Sequence, residues 1–150
     1  MCSKRIFALL AAVVLLLSAA SCGKTESAPK ATGVVSRIVG MYECDRCAVN
    51  IEKLSDTEAS VYAMWGQKVL MATEWKLTGT YDPQTRQLLF VDCVCTDVTY
   101  DEHGSVAKEV VEYENGSGYL QFSADGTFTW ESEQEAERMQ GMTFSIGATE

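Results

Sequence analysis

Four cysteines of this chain arrive in two close pairs, Glu43-Cys44-Asp45-Arg46-Cys47 and Asp92-Cys93-Val94-Cys95. Thiols at such spacings can do three kinds of chemistry. A CxxC loop facing a CxC strand can present four thiolates to tetrahedral Zn²⁺. CxxC is also the spacing of a dithiol redox centre, but that motif works between a strand and a helix of an α/β fold, and nothing in this chain supplies one. Outside the cell the two pairs can instead be joined as disulfides, tying the first hairpin to the fifth strand. Cys93 and Cys95 project to the same face of a strand and cannot readily bond each other, whereas Cys44 and Cys47 flank a turn. Spacing alone does not give connectivity, so Cys44, Cys47, Cys93 and Cys95 stand as disulfide or metal candidates, and no cofactor is assigned.

Other chemistry is sparse. His103 is the only histidine and precedes Gly104 in a polar loop, no serine has a plausible histidine partner, and no glycine-rich phosphate loop occurs. Acid pairs such as Asp92 with Asp97, or Asp101 with Glu102, arise by chance among 21 carboxylates and read as solvated strand faces. The expectation is a protein that is not an enzyme. Its formal charge of −9 repels phosphate backbones, which excludes nucleic acid as a partner. That leaves the aromatic residues Trp65, Trp75, Tyr81 and Trp130 as ligand-binding candidates, either filling a core or lining a mouth where a small molecule stacks. Trp65, beside Gly66-Gln67, is the rim candidate.

The elements that position these groups begin with an N-terminal address. Lys4 and Arg5 precede an uncharged apolar segment from 6 to 17, followed by Ser18-Ala19-Ala20-Ser21-Cys22. The apolar core is shorter than the ~20 residues that a bilayer-spanning helix needs, and the layout is that of an export signal. It resembles the signal peptide of a bacterial lipoprotein, with Ala19-Ala20-Ser21-Cys22 at the lipobox, although alanine stands at position 19 where that family usually has leucine. The resemblance implies cleavage before Cys22, a diacylglyceryl group on its thiol, and a mature protein moored to a membrane in the cell envelope. Domain boundaries follow: signal peptide 1 to 21, lipid-anchored tether 22 to 33, folded domain 34 to 150. The tether lacks aromatic and large aliphatic residues and cannot offset its ordering entropy by burial. Since Lys4 and Arg5 leave with the signal while every carboxylate lies beyond Cys22, the mature chain is more acidic still, and its membrane contact must come from the lipid.

Beyond Val34 the hydrophobic period is two. From 69 to 82, Met71, Trp75, Leu77 and Tyr81 share one face while Glu74, Lys76, Thr78, Thr80 and Asp82 share the other, the pattern of a half-buried strand. Turn signals recur at Gly66-Gln67, Asp82-Pro83-Gln84-Thr85, His103-Gly104, Asn115-Gly116 and Asp125-Gly126. They delimit eight expected strands near 36 to 43, 47 to 54, 59 to 65, 69 to 81, 86 to 99, 106 to 114, 117 to 123 and 127 to 131. An antiparallel up-and-down meander of this length, without a helix long enough to cover it, must curl into a barrel of about eight strands. One short C-terminal helix is expected as a lid or plug, begun by a Ser132/Glu135 capping box and ended at Gly141, with Phe144 and Ile146 in a final closing strand.

The stretch Trp75-Lys76-Leu77-Thr78-Gly79-Thr80-Tyr81-Asp82 resembles the strand ends of lipocalin-like and avidin-like barrels, and the domain as a whole is similar in organisation to small barrel-type bacterial lipoproteins. Those resemblances imply a barrel and assign no ligand. The functional expectation is therefore a lipid-anchored extracytoplasmic module that binds a small ligand in or at the mouth of the barrel. Its alternatives are an inhibitor or adhesion module capturing a basic protein on acidic loops, and a thiol or metal protein at the four cysteines.

Overall fold

A computed structural model of the protein describes residues 35 to 147, all within one contact unit, Ala31–Glu150. The expected signal peptide, lipidated Cys22 and tether lie outside the described residues. Alternation of apolar and polar side chains over short runs, with β-branched and aromatic residues between turn formers, builds a chain of strands. They are β1 (Gly40–Cys44), β2 (Cys47–Lys53), β3 (Glu58–Lys68), β4 (Met71–Asp82), β5 (Gln87–Tyr100), β6 (Val106–Phe122), β7 (Phe128–Ser132) and β8 (Ser145–Ile146), with a 3₁₀ turn at Val35–Arg37 and one short helix, α1, at Ala136–Met139. Every pairing is antiparallel, in the order β7-β6-β5-β4-β3-β2-β1-β8. Phe128 of β7 bridges Phe144, just ahead of β8, so the ends of the sheet meet in a nearly closed barrel.

The inward positions follow the pleat: Cys47, Val49 and Ile51 on β2, Ala59, Val61 and Ala63 on β3, Trp75, Leu77 and Tyr81 on β4, Leu120 and Phe122 on β6, and Phe128 and Trp130 on β7 are all buried. On β5 the period breaks. Phe90 and Cys93 are an odd number of residues apart yet both face inward, and a register shift between them restores the phase. The matching rung of β4 is supplied by a side chain, Thr78 N–H donating to Asp92 Oδ1 at 2.9 Å. Such a bulge bends the sheet, which closure requires.

Three local expectations are corrected. Asn115-Gly116 is not a hairpin turn; it lies inside one long strand, β6, so the segments 106 to 114 and 117 to 123 are continuous. The positive φ of Asn115, 57°, serves a bulge opposite Cys93, where Gly116 admits the Tyr113 ring. Gly66-Gln67 belongs to β3, and the turn falls at Val69-Leu70, with Leu70 at φ 63°. The capping box does not form: Glu135 occupies the N-cap without a side-chain cap, and Ser132 bonds Gln134 instead.

Gly118 sits where β5, β6 and β7 pack tightest. A Cβ there would lie 2.2 Å from the backbone oxygen of Glu131, which cannot swing aside as a side chain would. Gly118→Ala is expected to lower the unfolding free energy by about 3 kcal/mol through overpacking. Gly66→Ala, whose Cβ would meet nothing nearer than 4.0 Å, should cost no more than about 0.5 kcal/mol. Urea denaturation of the two variants checks the contrast.

Candidate functional site

The barrel's two ends differ in how their polar groups are satisfied. At the end formed by the β1–β2, β3–β4 and β5–β6 turns, α1 folds across the opening and sends Glu135 inward, only 1% exposed. A carboxylate at that depth requires full pairing. Trp75 Nε1 donates to Glu135 Oε1 at 2.8 Å, Tyr113 Oη donates to the same oxygen at 2.7 Å, and Arg138 Nη1 donates to Oε2 at 3.0 Å. The Arg138 guanidinium lies over the Trp75 ring, 5.3 Å from its centroid, and reaches Glu112 Oε2 at 3.3 Å. Although burial lowers the pKa of Arg138, Glu135 and Glu112 outweigh it and hold the group above its ordinary value.

The cysteines surround this plug. Cys44 and Cys47 face each other across the two-residue turn at Asp45-Arg46, with Asp45 at φ 53°. Cys93 Sγ is 3.9 Å from Tyr113 Oη, and the Cys95 thiol donates to Glu112 Oε2 at 3.5 Å while Arg138 Nη1 approaches its sulfur at 3.9 Å. All four are free thiols in this structure. Among the described residues, no three His, Cys, Asp or Glu side chains group closely enough to hold a metal ion. Burial, with the Cys44 and Glu135 charges behind it, pushes the Cys47 thiol up to about 12; burial does the same to Cys93, and it raises Cys95 further with Glu135 and Glu112 adding to it. A thiol so protonated at neutral pH is a poor nucleophile. Tyr113 is raised too, by burial and by its bond to Glu135.

The aromatic candidates divide. Trp75 and Trp130 pack against each other at 6.0 Å in the filled interior, and Trp130 meets Phe90 at 5.8 Å. Trp130 Nε1 is enclosed there without a hydrogen-bond partner among the described residues. Trp65 stands at the plugged end, partly buried against the core. Tyr81 alone reaches the other end.

That second end is framed by the 3₁₀ turn, the β4–β5 turn and the β6–β7 turn. Arg37, Ile38, Tyr81, Pro83, Arg86, Phe122, Ser123, Ala124 and Gly126 enclose a pocket of about 320 Å³. The Tyr81 ring is 93% buried by its 7% exposure and packs edge-on against Phe122 at 5.9 Å. Burial raises its pKa; the charges of Arg37 and Arg86 pull it down, and Asp82 adds to the rise. No hydrogen bond holds its hydroxyl among the described residues. Among the described residues neither arginine forms an ion pair, because the neighbouring carboxylates are turned into their own loops. Asp82 accepts from Gln84 N–H and Thr85 Oγ1, both at 2.9 Å, and Asp125 from Thr127 N–H at 3.0 Å. Arg86 is held at φ 57°, its carbonyl accepting from Phe122 N–H at 2.9 Å. A left-handed non-glycine residue costs about 1 kcal/mol or more and persists where its surroundings enforce it.

A larger concavity, about 590 Å³, lies on the outer sheet face over Asn50, Tyr62, Lys76, Thr78 and Asp92. Its polar groups already satisfy one another: Asn50 donates to Glu52 at 2.9 Å, Lys76 pairs with Glu74 at 3.7 Å, and Asp92 is engaged by Thr78. The smaller pocket sets two arginines and a phenol beside one another, whereas the charged groups of the larger lie next to opposite charge or accept backbone donors. No family model, no curated protein and no solved structure matches this chain, so the chemistry of these groups carries the functional argument.

Spacing and composition pointed to Tyr81 but not to Arg37, Arg86 or Glu135. The signal for Glu135 was slight: an acid between a strand and a polar helix, whose capping-box reading concealed its inward course.

The thiol shifts make stability depend on alkaline pH. A folded-state pKa raised above that of the unfolded chain stabilises fully below the unfolded value and loses that contribution as pH climbs toward the folded one. For Cys47 and Cys93 the window runs from the ordinary 9.0 to about 12. Unfolding free energy should be flat below pH 9 and then fall, by up to about 1.4 kcal/mol per pH unit for each such thiol. Cys47→Ala and Cys93→Ala proteins should each show a shallower fall, measured by urea denaturation from pH 7 to 11.

Proposed function

We propose that this chain is a lipid-anchored, extracytoplasmic binding module without catalytic activity, taking a small anionic ligand at the barrel mouth around Tyr81. The observation that carries this reading is one pocket lined by the Tyr81 phenol and by Arg37 and Arg86, none of which has a side-chain partner among the described residues. An oxyanion placed there accepts from all three groups, and such charge-assisted bonds are the strong ones. Ile38, Pro83 and Phe122 supply the apolar walls. A pocket of this size is at the small end of the range for ligand sites, which suits a carboxylate or phosphate ester on a short apolar body. A packed lumen, with Trp75 and Trp130 inside it, supports binding at the mouth over binding within.

The absence of a catalytic role rests on chemistry. The raised thiols are weak nucleophiles, and His103 is exposed, its ring 3.7 Å from the Glu102 carboxylate. The envelope location rests on the lipobox-like segment at Cys22.

Calorimetric titration with benzoate and with phenyl phosphate should give one-to-one binding, while benzyl alcohol, which lacks the charge, should give none. Arg86→Gln should weaken the anions about tenfold and Tyr81→Phe about fivefold. Binding of the alcohol as tight as that of the anions, or silence with both anions, would remove the site. Intact mass of protein extracted from bacterial envelopes should correspond to a chain beginning at an acylated Cys22. A mass beginning elsewhere would remove the anchor and leave the pocket unaffected.

A further inference from the structure

Strand β6 is 17 residues long, yet β7 pairs only with its last part, Gly118 to Phe122. From 106 to 117 the edge turned away from β5 has no neighbouring strand among the described residues. The backbone N–H and C=O groups along such an edge form a template for another strand. Native edges are usually blunted by lysines, prolines or short length; this one carries a single lysine, Lys108, no proline, and exposed valines at 106, 110 and 111 with 53%, 46% and 53% of their surface free. Its charge is acidic. Glu109 and Glu114 are exposed, while Glu112 is held by Arg138.

We propose that the open edge of β6 binds an extended, basic segment of a partner protein by adding it to the sheet as a further strand. Main-chain hydrogen bonds would give the affinity; on one face of β6 Val106 and Val111 would meet apolar side chains and Glu109 a lysine or arginine, on the other face Val110 would meet an apolar one, and Glu114 would add to the selection for cations. Charge complementarity commits the occupant: a chain of net charge −9 repels a second copy of itself and steers a cationic segment toward it. Bulges in the β5–β6 ladder at Cys95/Thr96 and Thr99/Tyr100 twist the edge locally, so the added strand is short. The inference is independent of the anion pocket, which lies at the opposite end of the barrel.

The test uses the full chain in detergent and a fluorescein-labelled peptide of lysines and valines, with both residue types on each face when extended, about ten residues long to run the length of the edge. Fluorescence anisotropy at about 50 mM salt should show saturable one-to-one binding. N-methylating alternate nitrogens along one edge of the peptide keeps its charge but removes its ladder donors, and should weaken binding at least about tenfold. Glu109→Lys with Glu114→Lys should weaken it comparably, circular dichroism confirming that the variant retains its fold. Equal binding of the methylated peptide would reduce the interaction to charge alone and overturn the proposal, as would no binding. A dimer in sedimentation that the same two substitutions dissolve would assign the edge to a second copy, and likewise overturn it.

Discussion

Closing the sheet is the constraint on which the rest of this molecule depends. Eight antiparallel strands with one apolar face cannot remain open in water, and closure comes down to a short seam. Phe128 and Phe144 exchange backbone hydrogen bonds at 3.0 and 2.8 Å and stack their rings at 4.7 Å. Tyr42 and Phe122 pack on Phe128 at 5.0 and 5.2 Å, so the seam is also the centre of an aromatic cluster. Because those two bonds and that cluster do the joining, β8 needs only two residues. The cost is that β7 pairs with only the last five residues of β6, Gly118 to Phe122, and the greater part of the longest strand has no neighbouring strand on that edge among the described residues.

Closure also decides what each end of the barrel must do. At one end the chain from β7 to β8 has to cross the opening, and α1 is that crossing. Turning its N-cap carboxylate inward puts a charge at a depth where an unpaired ion would cost several kcal/mol, and Trp75, Tyr113 and Arg138 offset it from three directions. Cys47, Cys93 and Cys95 share this environment, whose burial keeps their thiols protonated. At the other end the 3₁₀ turn lays Val35 and Ile38 into the core. The Tyr81 ring completes that core, but its hydroxyl and the arginines lining the same pocket have no side-chain partner among the described residues. One end is electrostatically matched, and the other keeps hydrogen-bonding capacity.

Much of the barrel was legible in the sequence. Strand positions, the inward face of β4, the shared face of Cys93 and Cys95, and the turns at Asp82-Pro83, His103-Gly104 and Asp125-Gly126 follow from alternation and turn chemistry within short windows. The misreadings share a cause. Asn115-Gly116 has the composition of a hairpin turn, yet a left-handed residue followed by glycine also suits a bulge, and which one forms depends on whether β5 continues alongside. Ser132 and Glu135 have the composition of a capping box, yet a carboxylate with Trp75, Tyr113 and Arg138 waiting for it gains more by turning in.

What the sequence by itself determined is the local alphabet: an all-β chain, the period of its strands, its acidity, and which aromatic residues, Tyr81 among them, stand on the inward face. Tertiary structure alone decided which polar groups are matched. Glu135 meets Trp75 across 60 residues of chain, and Arg37 and Arg86 come to the same phenol from a 3₁₀ turn and a hairpin. The physical reason is that satisfaction of a buried charge or a hydroxyl depends on what lies across space from it, and closure of the barrel, not sequence neighbourhood, sets that.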